Sequence, residues 1–279
     1  MSEHPRISVV IPTCHRNDLL AKCLEALAPQ RQTLGKPYEV IVTDDGSRET
    51  AQAMIAEKFP WARWTQGPRR GPAANRNHGA AQAGGEWLAF TDDDCIPDAD
   101  WLAAFAGAMH EGIRVYEGRT TTDLPLKGPR YQAPVNERGG YLWSCNLLLA
   151  REVFTRLGGF DEDFPYPHLE DVDLRLRLEA MGERWDFVAG AEIFHPQRPA
   201  TPWRKRARAH QSSVYLCHKY DKPLSFANID PLSFLRTVKH TLTGPGPCAD
   251  KARFLAGFFA EQLYLLAMVP YWKYHYSKR

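Results

Sequence analysis

Three consecutive carboxylates, Asp92, Asp93 and Asp94, directly follow an apolar run that reads as a strand. Acids in a row repel one another, so they require a positive partner. Carboxylate oxygens, together with the phosphates of a ligand, are typical ligands of Mg²⁺ and Mn²⁺. The alternative role is that of a helix N-cap, but Asp98 or Asp100 already precedes the helical pattern that follows. The cluster therefore predicts a divalent cation site.

Two further acidic pairs occur at Asp44–Asp45, before a Gly-Ser turn, and at Glu170–Asp171, where a helical pattern begins. The first pair suits a turn, and a carboxylate there also suits recognition of a nucleobase N–H. The second pair suits a helix start, where the helix dipole stabilises negative charge. Its functional alternative is a general base for a hydroxyl. The residues alone leave both alternatives open at each pair.

His195 follows an apolar run and precedes a proline. It suits either a packed loop position or a neutral metal ligand that completes the acidic site.

In the structural alternative for Glu170 and Asp171, the predicted salt-bridge partners are Arg175 and Arg177.

Short apolar strands alternate with helical patterns over the first 112 residues, with strands predicted at 7–12, 38–47 and 86–91. This alternation predicts a mostly parallel sheet flanked by helices. Ligands of such sheets bind beyond the carboxyl ends of the strands. Residues 13–16, 44–47 and 92–94 all lie at predicted strand ends, so we expect a site at that edge.

The pattern is less regular after residue 112, with a strand predicted at 142–150 and a helix at 171–182. From residue 201 onward the chain is helical and basic. This segment holds thirteen Lys/Arg against four Asp/Glu, a net of +9 in a chain whose total is +2. A solvated helix face is the default interpretation, and binding of a pyrophosphate or an anionic membrane surface is the alternative. Nucleic acid is not expected, because no binding motif accompanies the charges.

The apolar run 254–272 has Glu261 near its middle. Because a central acid is costly inside a bilayer, we expect an amphipathic or buried helix here and not a membrane span. No secretory signal is evident at the N-terminus. Six scattered cysteines without C-x-x-C spacing predict reduced thiols and a cytoplasmic protein.

Five segments occur in an order that resembles one family: ISVVIPTCHRNDLLAKCLEAL, EVIVTDDGS, GPAANRNHGAAQAGGEWLAFTDDD, NLLLAREVFTRLGGFDEDF and EDVDLRLRL. They resemble the family 2 inverting glycosyltransferases of the GT-A fold, from about Ile7 to about His195. The resemblance implies an α/β fold with a Rossmann-like, mostly parallel central sheet, and the residue pattern from 201 onward adds a helical C-terminal extension. The implied domains are residues 1–200, with a nucleotide-sugar half (1–112) and an acceptor half (113–200), followed by an extension at 201–279.

The resemblance also assigns the triple-acid cluster (Asp92, Asp93 and Asp94). Asp92-x-Asp94 matches the family's D-x-D motif, which implies a Mn²⁺ or Mg²⁺ ion on the diphosphate of a nucleotide-sugar. Asp94 would hold the metal, Asp92 or Asp93 would hold the ribose or the metal, and His195 would be a further metal ligand.

Nucleotide contacts are implied for Pro12, Thr13 and Arg16, which match the first nucleotide-binding loop of the family. Within the turn pair (Asp44 and Asp45), one acid would read the base, most often uracil. Arg76 matches the basic residue of an A-R-N-x-G segment near the donor.

Asp171 matches the family's catalytic base, and Glu170 would lie next to the acceptor. The implied reaction is one in-line displacement, which inverts the anomeric carbon. The Q-x-x-R-W segment of processive members has no match, which favours transfer of a single sugar.

The implied product is a cell-surface polysaccharide or glycolipid, made from a UDP-sugar and a glycan or lipid-linked acceptor. For residues 201–279, two partners stay open: an anionic membrane at the inner face of the plasma membrane, and a second subunit in a homodimer. A sugar nucleotidyltransferase is an alternative, but it would need a Gly-rich N-terminal loop. A non-catalytic nucleotide-sugar-binding protein is the other alternative.

Overall fold

The computed structural model describes residues 6–278. The first residues of the N-terminal stretch, where no secretory signal is predicted, lie outside the described residues. The chain divides into two compact units. Unit 1 comprises the residues up to Thr122 together with Pro134–Glu162 and Glu170–Pro196, and unit 2 comprises Asp123–Ala133, Asp163–Leu169 and the chain from Gln197 onward. The predicted domain boundaries at residues 112 and 200 stay predictions.

Ten strands are described: β1 (Ile7–Thr13), β2 (Glu39–Asp44), β3 (Arg63–Gln66), β4 (Trp87–Thr91), β5 (Ile96–Pro97), β6 (Val115–Thr121), β7 (Tyr131–Gln132), β8 (Asn146–Ala150), β9 (Trp185–Phe194) and β10 (Arg198–Pro199). The helices are α1 (Asn17–Ala26), α2 (Gln52–Lys58), α3 (Pro72–Ala81), α4 (Trp101–Ala108), α5 (Arg151–Leu157), α6 (Glu170–Ala180), α7 (Trp203–Lys219), α8 (Pro231–Thr243) and α9 (Cys248–Tyr276). A 3₁₀ turn, Leu224–Ala227, separates α7 from α8.

Unit 1 is built on an eight-stranded sheet in the order β3-β2-β1-β4-β8-β6-β9-β5. Strands β1 to β4 are mutually parallel where they pair, and β6 pairs with β9 in parallel. Strand β8 runs antiparallel to both β4 and β6, and β5 runs antiparallel to β9. The sheet is therefore mixed and mostly parallel, which confirms the predicted fold class.

Strand β1 shows why this sheet needs helices on both faces. Val9 and Ile11 belong to one hydrophobic core, which includes Leu20 and Leu24 of α1. Val10 points to a second core. Successive side chains of a strand face opposite sides, so an uninterrupted apolar strand is stable only when both sides are covered.

Two strands differ from the prediction. The strand predicted at 142–150 begins only at Asn146, because Leu142 has a left-handed backbone (φ 52°) and donates its N–H to the carboxylate of Glu117. Strand β9 was not predicted, since Asp186 and Gly190 interrupt its apolar pattern.

In unit 2, helices α7 and α9 pack against each other through Val214, Leu265, Trp272 and Tyr276. Within the described residues, α9 is the one helix long and apolar enough to cross a membrane, judged by length and composition alone. The N–H groups of Arg206 and the ring of His210 meet Glu261, the central acid of this helix, at 2.6 to 3.0 Å.

Candidate active site

The ends of β1 and β4 bring Thr13 and Asp93 together. The two strands are parallel neighbours, so their carboxyl ends lie side by side. The hydroxyl of Thr13 donates to Asp93 Oδ2 at 2.7 Å, and Arg16 Nε, just before α1, donates to the same oxygen at 3.0 Å. Two residues predicted for the nucleotide loop thus contact the triple-acid cluster directly. Pro12 lies buried in β1 beside them.

Asp93 has no exposed surface. Burial raises the pKa of Asp93 to about 7, although the charge of Arg16 and the hydrogen bond from Thr13 oppose that change. Asp94 and Asp92 add repulsion in the same direction. The middle acid of the cluster therefore exchanges a proton near neutral pH.

Asp94 lies between two cationic or basic groups. Arg16 Nη1 donates to Asp94 Oδ2 at 3.0 Å, and His195 Nε2 lies 3.4 Å from Asp94 Oδ1. The other ring nitrogen, Nδ1, is 3.1 Å from the carbonyl oxygen of Pro196. Because a carbonyl only accepts, Nδ1 carries the proton in the neutral ring, and the lone pair of Nε2 faces Asp94.

This arrangement fits a divalent cation. A carboxylate oxygen and an imidazole nitrogen converge within the described residues, and Cys95 Sγ lies in the same group, with all three ligand atoms within 4.8 Å of one another. Burial raises the pKa of the Cys95 thiol well above its ordinary value, so the sulfur stays protonated and is a poor ligand. A carboxylate oxygen suits Mg²⁺ or Mn²⁺, whereas an imidazole nitrogen suits transition metals. Asp92 is outside this group and accepts from Arg76 at 2.6 Å, and its role as a metal ligand stays a prediction.

Arg76 connects the triple-acid cluster to α6. Its guanidinium donates to Asp92 at 2.6 Å, lies 3.7 Å from Glu170 and stands over the ring of Phe160 at 5.5 Å. Burial opposes its charge, yet Asp92, Asp171 and Glu170 together raise the pKa of Arg76 above its ordinary value. Arg76 is therefore a permanent buried cation between the two acidic groups.

Glu170 and Asp171 occupy the first turn of α6. Burial, with repulsion from Asp171, raises the pKa of Glu170 to about 7, while Arg76 opposes the rise. Burial also raises the pKa of Asp171, opposed by Arg76 and by hydrogen bonds from the hydroxyl and N–H of Ser144. Among the described residues, Asp171 Oδ1 has no hydrogen-bond partner. One oxygen of this carboxylate is thus held while the other is available.

The predicted salt-bridge partners of this pair are wrong. Arg175 pairs with Glu179 at 3.5 Å, and Arg177 pairs with Asp173 at 2.7 Å. Both are contacts between residues four apart on α6, which is the spacing at which helical side chains meet.

The turn pair is held by backbone amides. Asp44 Oδ1 accepts from Gly46 N at 2.7 Å, and Asp44 Oδ2 accepts from Ala51 N at 2.6 Å and from Trp64 Nε1 at 3.2 Å. Asp45 accepts from the amides of residues 69 and 71 at 2.9 and 3.0 Å. Asp44 is buried and Asp45 is half-buried, so only Asp45 presents surface to a ligand.

Known proteins are similar to this chain in sequence and in fold. Residues 8–138 match the family model described as Glycosyl transferase family 2. The matched segment belongs to glycosyl transferase family 2. The mannosyltransferase PcManGT from Pyrobaculum calidifontis, in complex with GDP-Man and Mn²⁺, superposes with a TM-score of 0.60 at 20% identity, over 99% of this chain and 85% of that one. The likeness shows that this family 2 protein has the GT-A fold.

Two curated relatives resemble this family 2 glycosyltransferase in sequence. Glycosyltransferase AglE of Haloferax volcanii is 29% identical over 209 residues, which is 70% of this chain and 68% of AglE. Validoxylamine A glucosyltransferase of Streptomyces hygroscopicus subsp. limoneus is 29% identical over 244 residues, 70% of this chain and 54% of that protein. The chain thus spans little more than half the length of the second relative.

Sequence reasoning missed two residues that support the proposed base of this glycosyltransferase. Ser144 contacts Asp171, and the buried Glu117 fixes the loop that leads to it. Glu117 accepts from the amides of residues 140, 141 and 142 and from the side chain of Asn136. A lone serine has no sequence signal, but an isolated acid within the apolar strand β6 is a signal for a buried anchor.

Proposed function

We propose that this family 2 glycosyltransferase transfers one sugar from a nucleoside diphosphate sugar to a hydroxyl of a glycan or lipid-linked acceptor, with inversion. The observation that carries the proposal is the position of Arg76, bonded to Asp92 at 2.6 Å and 3.7 Å from Glu170. One buried cation thereby joins the acids proposed for the donor to the acids proposed for the acceptor. A protein that only bound the donor would not need the second acidic group.

Asp94 and His195 are the residues we propose for a Mn²⁺ or Mg²⁺ ion. When bound, such an ion supplies neutralisation of the charge on the donor diphosphate. Arg16 supports this role, because its guanidinium already offsets two carboxylates at the same edge of the sheet. Pro12 and Thr13 would border the nucleotide there.

For recognition of the base we favour Asp45 over Asp44, because Asp44 is buried whereas Asp45 is half-buried and presents surface to a ligand. Uracil is proposed from the family pattern. Guanine is the competing base, since the PcManGT structure holds GDP-Man.

Asp171 is proposed as the general base. Its raised pKa makes it a stronger proton acceptor than an exposed aspartate. The acceptor hydroxyl would donate its proton to Asp171 Oδ1 while the hydroxyl oxygen bonds to the anomeric carbon. The bond from that carbon to the diphosphate oxygen breaks in the same step. A single displacement inverts the anomeric centre.

The deciding test is a thermal-shift series with UDP, GDP and dTDP, with and without Mn²⁺, on the wild type and on Asp94→Asn. A ligand at one hundred times its Kd adds about 2.7 kcal/mol to the unfolding free energy. We expect one nucleotide to stabilise the wild type only when Mn²⁺ is present, and Asp94→Asn to lose that effect. Asp123→Asn, at an exposed position, is the matched control. Stabilisation that persists in Asp94→Asn would contradict the proposed cation site.

A further inference from the structure

The exposed large apolar side chains of this protein are concentrated on two helices. Thirteen such side chains are exposed in the described part of the chain, and eight of them lie on α8 and α9. These two helices hold 13 and 29 residues of a chain of 279. Concentrated apolar surface marks an interaction site, whereas scattered residues do not.

Five exposed residues of α9 form one apolar stripe, defined by Phe259, Leu263, Leu266, Pro270 and Tyr274, and the exposed Tyr271 lies outside it. Their spacing of three and four residues places them on one face of the helix. Leu263 is 69% exposed and Leu266 is 75% exposed. No charged residue belongs to the stripe.

Helix α8 extends the apolar surface. Leu232, Leu235 and Leu242 are 71%, 59% and 57% exposed. Phe234 of α8 packs against Phe259 at 5.7 Å between ring centroids, so α8 contacts α9 where the stripe begins.

The charges around this surface are positive. Arg236, Lys239, Arg253, Lys273 and Lys278 are all exposed, on or directly beside α8 and α9. The acids of the two helices are occupied. Asp250 pairs with Arg130 at 3.0 Å, and Glu261 is buried against Arg206 and His210.

We infer that the outward face of α8 and α9 binds the surface of an anionic lipid bilayer, with α9 lying in the plane of that surface. Apolar side chains rimmed by basic residues match the interface between acyl chains and anionic headgroups. A second copy of the chain fits less well. A symmetric dimer through this face would bring the five basic side chains of both copies into one interface.

A spanning orientation is disfavoured by the opposite face of α9. Phe258, Leu265 and Trp272 are buried there within unit 2. Glu261, on the same side, is held by two N–H donors of Arg206. Spanning would remove this buried ion pair from its protein surroundings and place it at bilayer depth, which is costly.

The test is co-sedimentation of the full-length protein with vesicles of phosphatidylcholine alone and of phosphatidylcholine mixed with phosphatidylglycerol. We expect binding only to the anionic vesicles, weakened by salt. Leu263→Glu with Leu266→Glu should reduce the bound-to-free ratio by more than about tenfold. Leu124→Glu, at a leucine that is 68% exposed outside the two helices, should bind like the wild type.

A second variant tests the charges. Arg253→Gln with Lys273→Gln should weaken binding by about fivefold per charge, whereas Arg31→Gln with Lys36→Gln, two exposed basic positions of unit 1, should leave it unchanged. Far-UV circular dichroism checks that each variant is folded.

Three results would overturn the inference. One is failure of the wild type to bind either vesicle. Another is a concentration-dependent dimer, seen by analytical ultracentrifugation, that the double leucine variant abolishes without any change in vesicle binding. The third is resistance of the bound protein to alkaline carbonate extraction, which indicates a spanning helix.

Discussion

The turn pair and the triple-acid cluster both follow parallel strands at one edge of the sheet, yet they are neutralised in different ways. Asp44 and Asp45 accept from backbone amides and one indole N–H, donors that belong to the fold itself. The triple-acid cluster instead faces the side chains of Arg16, Arg76 and His195. Side chains can change partner when a ligand enters, whereas amides of a turn cannot do so without unfolding it. We therefore expect Asp44 of the turn pair to govern stability and the triple-acid cluster to govern activity.

The largest expected effect is on catalysis. Asp171→Asn keeps the size of the side chain but removes proton acceptance, so transfer to an acceptor should fall by roughly 10²- to 10⁴-fold. Donor hydrolysis to the nucleoside diphosphate, followed with and without acceptor, measures the change. Nucleotide binding by thermal shift should stay as in the wild type. Transfer at the wild-type rate would remove Asp171 from the mechanism.

Asp44→Ala should lower stability. It leaves the amides of residues 46 and 51 and the indole N–H of Trp64 without their acceptor. Each unsatisfied buried donor costs about 1 to 3 kcal/mol. Urea unfolding should show a loss of about 3 kcal/mol or more. Asp94→Asn is the matched control and should change the unfolding free energy by less than about 1 kcal/mol, since Arg16 keeps Asp93 as a partner. Equal losses of unfolding free energy in the two variants would contradict the expected difference between the turn pair and the triple-acid cluster.

A third prediction concerns the dependence of the unfolding free energy on pH. Glu170 has an ordinary pKa of 4.5 and a folded pKa of about 7, so the folded state holds this proton more tightly than the unfolded state. Protonated Glu170 therefore contributes to the unfolding free energy. This contribution is fully present below the unfolded-state pKa of Glu170 and is lost as the pH rises through about 7. Glu170→Gln cannot ionise and should escape the loss.

Urea unfolding of the two proteins, with a chelator, at about pH 5 and about pH 8 measures this effect. The wild type should lose roughly 2 to 3 kcal/mol relative to Glu170→Gln over that interval. The contribution of Asp93 cancels, because it is the same in both proteins. Parallel pH profiles would mean that Glu170 is ionised throughout.

The smallest effect should come from Ser144→Ala. Removing the hydroxyl takes away a hydrogen bond that lowers the pKa of Asp171, so that pKa should rise further. We expect about a tenfold decrease in kcat/KM and a shift of its acidic limb to higher pH. Ser144→Thr, which retains the hydroxyl, should restore the pH profile if its added methyl is accommodated. A decrease in rate without a shift in the profile would indicate only a packing role.

The parts of the fold that were predicted correctly are those where local pattern and tertiary environment agree. Strands β1, β2 and β4 are short β-branched or apolar runs buried on both faces, so their apolar pattern is easy to recognise in the sequence. Strand β9 has exposed and polar positions along its length, and its pairing with β6 shifts register between Gly118 and Arg119. Such a strand is defined by its neighbours and not by its own residues.

The types of residue in the candidate site were predictable from the sequence, but their hydrogen-bond and ion-pair partners were not. The sequence placed the turn pair and the triple-acid cluster at strand ends. It did not show which of these acids accept from backbone amides and which pair with side chains. That distinction depends on where Arg16 and Arg76 lie after folding. The same holds for the predicted metal ligands, because the sequence did not show that His195 lies beside Asp94 or that Asp92 pairs with Arg76.

The loop after β6 has a consequence for engineering this protein. The carboxylate of Glu117 gathers three consecutive amides and Asn136 at one point, while Glu137, Arg138 and Tyr141 stay exposed on the outside. The shape of the loop is thus set from within by Glu117, and on the outside Tyr141 stacks on Trp143 at 4.4 Å between ring centroids. We expect libraries at positions 137 and 138 to tolerate wide variation with Ser144 kept in register, which makes these two positions suitable for introducing new surface chemistry beside the proposed base.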